Sequence, residues 1–160
     1  MKIQYLSKRE IKELNLKINS LWADIAIEPL KVVRSVEVEE GKYLLMNEAV
    51  LIKLNDILLP FVGDEKLCSH FPSITVDQGS IKYIINGANV MRPGIKMFEG
   101  NFIKDQVVVV KEEKHQKFIA VGVALIQREE AEKASKGAIV RNLHRIGDKF
   151  WEVYKSVTSS

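Results

Sequence analysis

The chain has little of what most catalytic and metal chemistry needs. Cys68 is the only cysteine in 160 residues. That excludes an internal disulfide and a CxxC zinc site, and it fits a reducing cytoplasm. The three histidines, His70, His115 and His144, stand apart, with no HxxxH or HxH spacing to gather ligands, so no metal is expected. Long apolar runs are missing too, and no segment is suited to span a membrane. The start, MKIQYLSKREIK, lacks the apolar centre of a secretory signal. There is no internal repeat and no low-complexity stretch. Nothing points to an oligomer seam, so a monomer is expected.

Charge of one sign is also scarce. The chain carries 24 Lys+Arg against 21 Asp+Glu, a net of +3, which by itself does not indicate nucleic acid. The distribution says more. Residues 1–70 hold 10 basic and 11 acidic side chains, whereas residues 71–160 hold 14 and 10. The basic surplus that phosphate contact needs therefore sits in the second half, although a charged surface also serves solubility.

No catalytic constellation emerges. Cys68 and His70 are two apart, but a dyad also needs an orienting group and an oxyanion hole. A semi-buried cysteine at a domain junction is the simpler expectation. Glu112-Glu113 and Glu129-Glu130 lie beside lysines and read as solvated turn and helix surfaces. Paired carboxylates for acid–base work would need a pocket, which the sequence does not show. No catalytic residue, no cofactor and no enzymatic activity are expected.

What is present is a well-punctuated alternation of strands and short helices. A short strand over 2–6 precedes Ser7-Lys-Arg-Glu10, a capping-box pattern. Ile11, Leu14, Ile18, Leu21 and Trp22 follow at helical spacing, which predicts a helix of about four turns. Strands are expected at 32–38, 43–46 and 50–54, with Asn47-Glu48 as a hairpin turn. Residues 55–67, broken by Pro60 and Gly63, read as a short helix leading to a second domain. Further strands are expected at 102–103, 107–110, 118–126 and 138–146. A polar helix is expected at 128–135. Gly122, inside an apolar strand, suggests a close backbone approach or a sharp bend. Gly147-Asp148 reads as a turn into Phe150-Trp151, with Trp151 plugging the core, and 158–160 as a frayed end.

The most informative stretch is FPSITVDQGSIKYIINGANVMRPGI, residues 71–95. Ile74–Val76 reads as a strand and Asp77 as a helix N-cap. Ile81, Ile84 and Ile85 give one face of a short helix, and Gly87 fits the left-handed position that closes it. Pro93-Gly94 sets a turn. One reading of NGANVMRPG is ordinary punctuation, a helix stop and a turn. The other is a loop whose small residues Gly87 and Ala88 bring bare backbone to a phosphate or ribose, with Arg92 supplying charge. The loop matches neither GxGxxG nor GxxxxGK[ST], so a dinucleotide or P-loop site is not expected. Lys82 lies on the short helix. In the last strand Arg141, Leu143 and Arg145 would alternate onto one face, and Val140, Asn142 and His144 onto the other. Tyr83 and Phe150 could stack on bases or belong to the core and its rim.

With AVGVA at 120–124 and GAIVRNLHRIGDKFW at 137–151, that stretch resembles the PUA domain, a small RNA-binding β-barrel. The series VDQGSIKYIINGANVMRPGI, AVGVA, KG, NLH and GDKFW, behind a small N-terminal domain, is similar to the malignant T-cell-amplified sequence family, whose yeast relative is a translation machinery-associated protein. The resemblance covers nearly the whole chain and is strong from Val76 to Trp151. It implies an α+β fold: a small N-terminal α+β (pre-PUA) domain over 1–70, a PUA β-pseudobarrel with short helices over 71–155, and a frayed tail over 156–160. It implies a non-enzymatic, cytoplasmic RNA-binding protein. The family's eukaryotic members bind the small ribosomal subunit and act with a partner called density-regulated protein in reinitiation and in releasing deacylated tRNA and mRNA. The expected partners are thus small-subunit rRNA, tRNA or both, with a translation-factor protein beside them and no DNA or membrane. An accessory subunit for a tRNA- or rRNA-modifying enzyme, or a protein–protein adaptor, remains open. Carried onto this chain, the resemblance marks Gly87, Ala88, Asn89, Pro93 and Gly94 of the glycine loop and Lys82 on the adjoining helix; the residue pattern adds Asn86 and Arg92 in the loop and Arg141 and Arg145 in the last strand as expected RNA-binding residues. On this view Arg92→Glu weakens RNA binding in a folded protein. Two departures stand out: Ser80 where alanine is usual, and Lys104 where a glycine usually precedes Asp105.

Overall fold

The computed structural model describes residues 3–158 apart from 26, 40, 47 and 48. The Asn47-Glu48 turn therefore lies outside the described residues. The chain forms two compact units, 1–60 and 61–160, whereas the sequence reading puts the boundary at residue 70.

The first unit is a meander. Strand β1 (Ile3–Tyr5) leads to helix α1 (Lys8–Leu21), then β2 (Arg34–Val38), β3 (Gly41–Leu45), β4 (Val50–Leu54) and β5 (Ile57–Pro60). The five strands lie in sequence order, each antiparallel to the next. Helix α1 starts where the capping box places it: Ser7 Oγ accepts from the Glu10 N–H at 3.1 Å, and Glu10 Oε1 accepts from the Ser7 N–H at 3.0 Å. It buries Leu14 and Ile18. Residues 57–60 form a strand rather than the expected helix. Asn55, at φ +52, makes the reversal that pairs Ile57 with Leu54. Pro60 ends that strand at the sheet edge, where a residue without an N–H is tolerated.

The second unit begins with helix α2 (Glu65–Cys68), then β6 (Ser73–Val76), α3 (Gln78–Ile84), β7 (Val90–Met91), a 3-10 turn (Arg92–Gly94), β8 (Ile95–Glu99), β9 (Val107–Glu112), β10 (Phe118–Ala124), α4 (Arg128–Lys133), β11 (Ala138–Arg145) and α5 (Lys149–Thr158). Its six strands lie in the order β7-β11-β10-β9-β6-β8. The expected strand at 102–103 is irregular backbone, and β8 lies earlier in the chain. Phe102 is still buried in the core with Ile74, Val76, Val108 and Val110. Gly122 is a site of close approach: a Cβ there would meet the Arg141 carbonyl.

Two buried polar groups brace this unit. Glu112 is not the solvated carboxylate that the sequence suggests. It accepts from the N–H groups of Lys114, His115 and Lys117 at 3.0, 2.6 and 3.0 Å and from the Gln78 amide at 3.1 Å. Burial works against its charge, but those four donors outweigh burial and bring its pKa down to about 2. A carboxylate depressed in the folded state stabilises fully above its unfolded value of about 4.3 and loses that contribution as pH falls toward 2. Glu112→Gln is therefore expected to lower Tm by several degrees at pH 7. The gap from the parent should narrow steadily between pH 4.5 and 2, as thermal melts across that range will show.

The second brace is His144, fully buried on β11. Its Nε2 accepts from the Val62 N–H at 3.0 Å, so the ring proton sits on Nδ1, 2.6 Å from Asp148 Oδ2. Asp148 also accepts from the Arg145 and Trp151 N–H groups, both at 2.9 Å, the second of which starts α5. Burial opposes the Asp148 charge, yet the His144 hydrogen bond and these N–H groups hold its carboxyl below the usual carboxylate range. Helix α5 stands where the sequence suggests a turn and a plug. Within it Phe150 is buried, while Trp151 stacks on Phe61 with centroids 5.8 Å apart and Tyr154 packs tilted against the same ring at 4.6 Å. Residues 159–160 of the expected frayed tail lie outside the described residues. Cys68 is fully buried; burial pushes its thiol pKa well up, and it donates to the Phe61 carbonyl, which leaves it inert.

Candidate nucleic-acid interface

Helix α3 has a firm N-terminus. Asp77 Oδ1 accepts from the Ser80 N–H at 2.9 Å and from its hydroxyl at 2.7 Å. Gly94 packs against this cap so closely that a Cβ would strike Ser80 Oγ. The 3-10 turn thus sits at the start of α3.

The other end of α3 is where the small residues gather. Gly87, at φ +100, turns the chain after Ile85 and Asn86. A helix C-terminus exposes unpaired carbonyls that repel anions. Here they are taken up. Asn86 Nδ2 donates to the Lys82 carbonyl at 2.8 Å and the Ala88 N–H to that of Tyr83 at 2.9 Å. Asn142 Nδ2 reaches the carbonyls of Ile84 and Ala88, each at 2.9 Å, while its own N–H donates to Asn89 Oδ1 at 3.0 Å. Arg145 Nε takes the Ile85 carbonyl at 2.7 Å. Loop 86–89 is therefore fixed, exposed and stripped of much of its helix-end negative character.

Arg145 is the best-placed cation. Its guanidinium lies over Gly87, with Cζ 3.7 Å from where a Cβ would stand. Among the described residues only Nε is engaged, which leaves the Nη edge for a bidentate phosphate contact. Lys82 is exposed on α3, its Nζ 5.1 Å from the centroid of the Tyr83 ring, and that ring is itself 59 % exposed. Arg141 is exposed, and its side chain has no polar partner among the described residues.

Arg92 is placed differently. Nε donates to the Ala131 carbonyl at 2.8 Å, Nη1 to Ile95 at 3.3 Å and Nη2 to Glu132 at 3.4 Å, and the guanidinium lies over Phe98. It binds the turn to α4, so substitution there tests stability before it tests charge. The structure brings together Lys82, Asn86, Gly87, Ala88, Asn89 and Arg145. Arg92, Pro93 and Gly94 lie apart, at the N-terminal end of α3 and against α4.

Strict alternation along β11 also fails. The register with β10 shifts so that Val121 faces His144 while Gly122 faces Asn142, leaving Leu143 as an extra residue. The bulge lets Asn142 and Arg145, three apart, reach the same end of α3. Asn142 is thus a positioning residue that alternation placed on the opposite face. The NLH segment carried it in the sequence, but as a motif without a role.

The PUA domain family model matches residues 72–146. Among curated proteins, the chain is 33% identical over 153 residues to an uncharacterized protein of Methanocaldococcus jannaschii, covering 92% of this chain and 93% of that one. It is 31% identical over 135 residues to malignant T-cell-amplified sequence 2 of Homo sapiens, covering 79% and 72%. It is 35% identical over 86 residues to translation machinery-associated protein 20 of Schizosaccharomyces pombe, covering 51% and 48%. A hypothetical protein of Pyrococcus horikoshii, solved by crystallography, superposes with a TM-score of 0.78 at 27% identity, covering 95% of this chain and 99% of that one.

Proposed function

The chain belongs to the malignant T-cell-amplified sequence family of PUA-domain proteins, and on that basis we propose that it is a non-catalytic RNA-binding translation factor that docks on the small ribosomal subunit, on tRNA, or on both. The observation that carries this reading is the C-terminal end of α3. There, side chains occupy the helix-end carbonyls, and Arg145 and Lys82 present charge around a loop with little side-chain bulk. Such contacts go to the phosphate backbone and position the protein without reading base sequence. Relatives named for the translation machinery and for malignant T-cell amplification support the setting. Among the described residues no group of three or more His, Cys, Asp or Glu side chains could hold a metal, and no helix is long and apolar enough to cross a membrane.

Sedimentation with purified small ribosomal subunits, with bulk tRNA as competitor, tests the reading. Co-migration that persists in the presence of tRNA is the expected result. Salt-sensitive tRNA binding without co-migration would instead support an accessory role beside an RNA-modifying enzyme. Failure to bind either RNA would overturn the proposal.

A further inference from the structure

The turn joining β9 to β10 is held more rigidly than a solvent-facing loop needs. The Glu112 carboxylate takes three of its N–H groups, at Lys114, His115 and Lys117. The side chains of those three residues are exposed, and Lys114 and Lys117 have no ion-pair partner among the described residues. Lys111, just before the turn, is occupied by Glu99 and the Phe118 ring.

Two links tie this turn to the surface around Arg145. Gln78, in the first turn of α3, donates to Glu112 at 3.1 Å. Lys82 is four residues further along α3, on the same face and about 6 Å away along the axis. On the sheet side, the Ile146 N–H donates to the Ile119 carbonyl at 3.0 Å. Lys117 precedes Ile119 by two residues, about 7 Å of extended chain. The turn therefore flanks α3 at the end of the sheet where Arg145 stands. Glu113, exposed in the same turn, offsets one of its charges.

We infer that the β9–β10 turn is a second phosphate-contacting element, in which Lys114 and Lys117 extend the Lys82–Arg145 surface along the flank of α3 to hold a longer stretch of RNA backbone. The inference rests on the RNA-binding reading above. Rigidity is the reason for the buried Glu112: a turn locked from beneath presents its two lysines with little ordering left to lose on binding. Because the contacts are to phosphates, they add affinity and salt dependence but no base preference.

The test is a salt titration of labelled bulk tRNA binding to the full chain and to its Lys114→Ala/Lys117→Ala variant. Loss of two phosphate contacts should make the slope of log affinity against log salt shallower by about 1.5. Affinity at the low-salt end should fall about tenfold, with Tm unchanged because neither side chain has an ion-pair partner among the described residues. A double variant with the parental slope and affinity, alongside an Arg145→Ala variant that binds weakly, would overturn this inference and leave the RNA reading standing. If the parent chain binds small ribosomal subunits and not tRNA, the same comparison is read on subunits; absence of salt-dependent binding to either RNA would overturn both.

Discussion

Replacing Arg145 with alanine is expected to weaken RNA binding about tenfold or more while lowering Tm by only a few degrees. A charge-assisted hydrogen-bond contact contributes roughly 1.5–3 kcal/mol, and 1.4 kcal/mol is tenfold in affinity. Among the described residues, Arg145 makes one side-chain hydrogen bond, to the Ile85 carbonyl. That carbonyl lies in an exposed segment where water can replace the donor. Arg92 should behave in the opposite way. Its three carbonyl contacts and its place over Phe98 join the 3-10 turn to α4. Arg92→Ala should therefore depress Tm more than Arg145→Ala, with any loss of RNA affinity following from the disturbed turn. Titration of labelled tRNA into both variants, with thermal melts alongside, separates a binding residue from a bracing one.

The largest effect on stability is expected from Asp148→Ala. The substitution removes the acceptor for His144 Nδ1–H and for the N–H groups of Arg145 and Trp151. It also removes the side chain that starts α5. A buried donor left unsatisfied costs about 1–3 kcal/mol, and His144 lies fully buried. A total loss of about 3 kcal/mol, or roughly 10–20 °C in Tm for a unit of this size, is the expected outcome. The pH dependence has a definite sign. The Asp148 carboxyl is held below its ordinary range in the folded chain. Its contribution is therefore complete above the unfolded value of about 3.9 and is lost as pH falls through the lower folded value. The Tm gap between parent and variant should be constant near neutrality and shrink only in strong acid. RNA binding should suffer as well, because Asp148 accepts from the backbone N–H of Arg145.

Features set by neighbours in sequence are legible from the sequence alone. The capping box at Ser7 and Glu10, the Asp77 cap, the left-handed Gly87 and the close approach at Gly122 each depend on a few adjacent residues or on one residue type. What stayed hidden depends on distant partners. Helix α5 buries its aromatic face on Phe61, some ninety positions earlier, so Gly147-Asp148 looks like a simple turn. Glu112 reads as a surface charge until β9–β10 folds its own N–H groups around it. The positions proposed for RNA contact divide for the same reason. Composition marks Arg92 and Arg145 alike, but contacts with α4 occupy one, and a bulge at Leu143 turns the other toward α3. A single inserted residue in a strand reverses which side chains share a face, and no local pattern in NLH announces it.

Amide chemical-shift mapping of the isotope-labelled chain during titration with bulk tRNA shows which surface meets RNA. Shifts are expected to concentrate at 82–89, 141–145 and 114–117 and to weaken together as salt is raised. Shifts confined to 1–60 of the chain, or none outside the 3-10 turn at Arg92–Gly94, would contradict an RNA surface around Arg145.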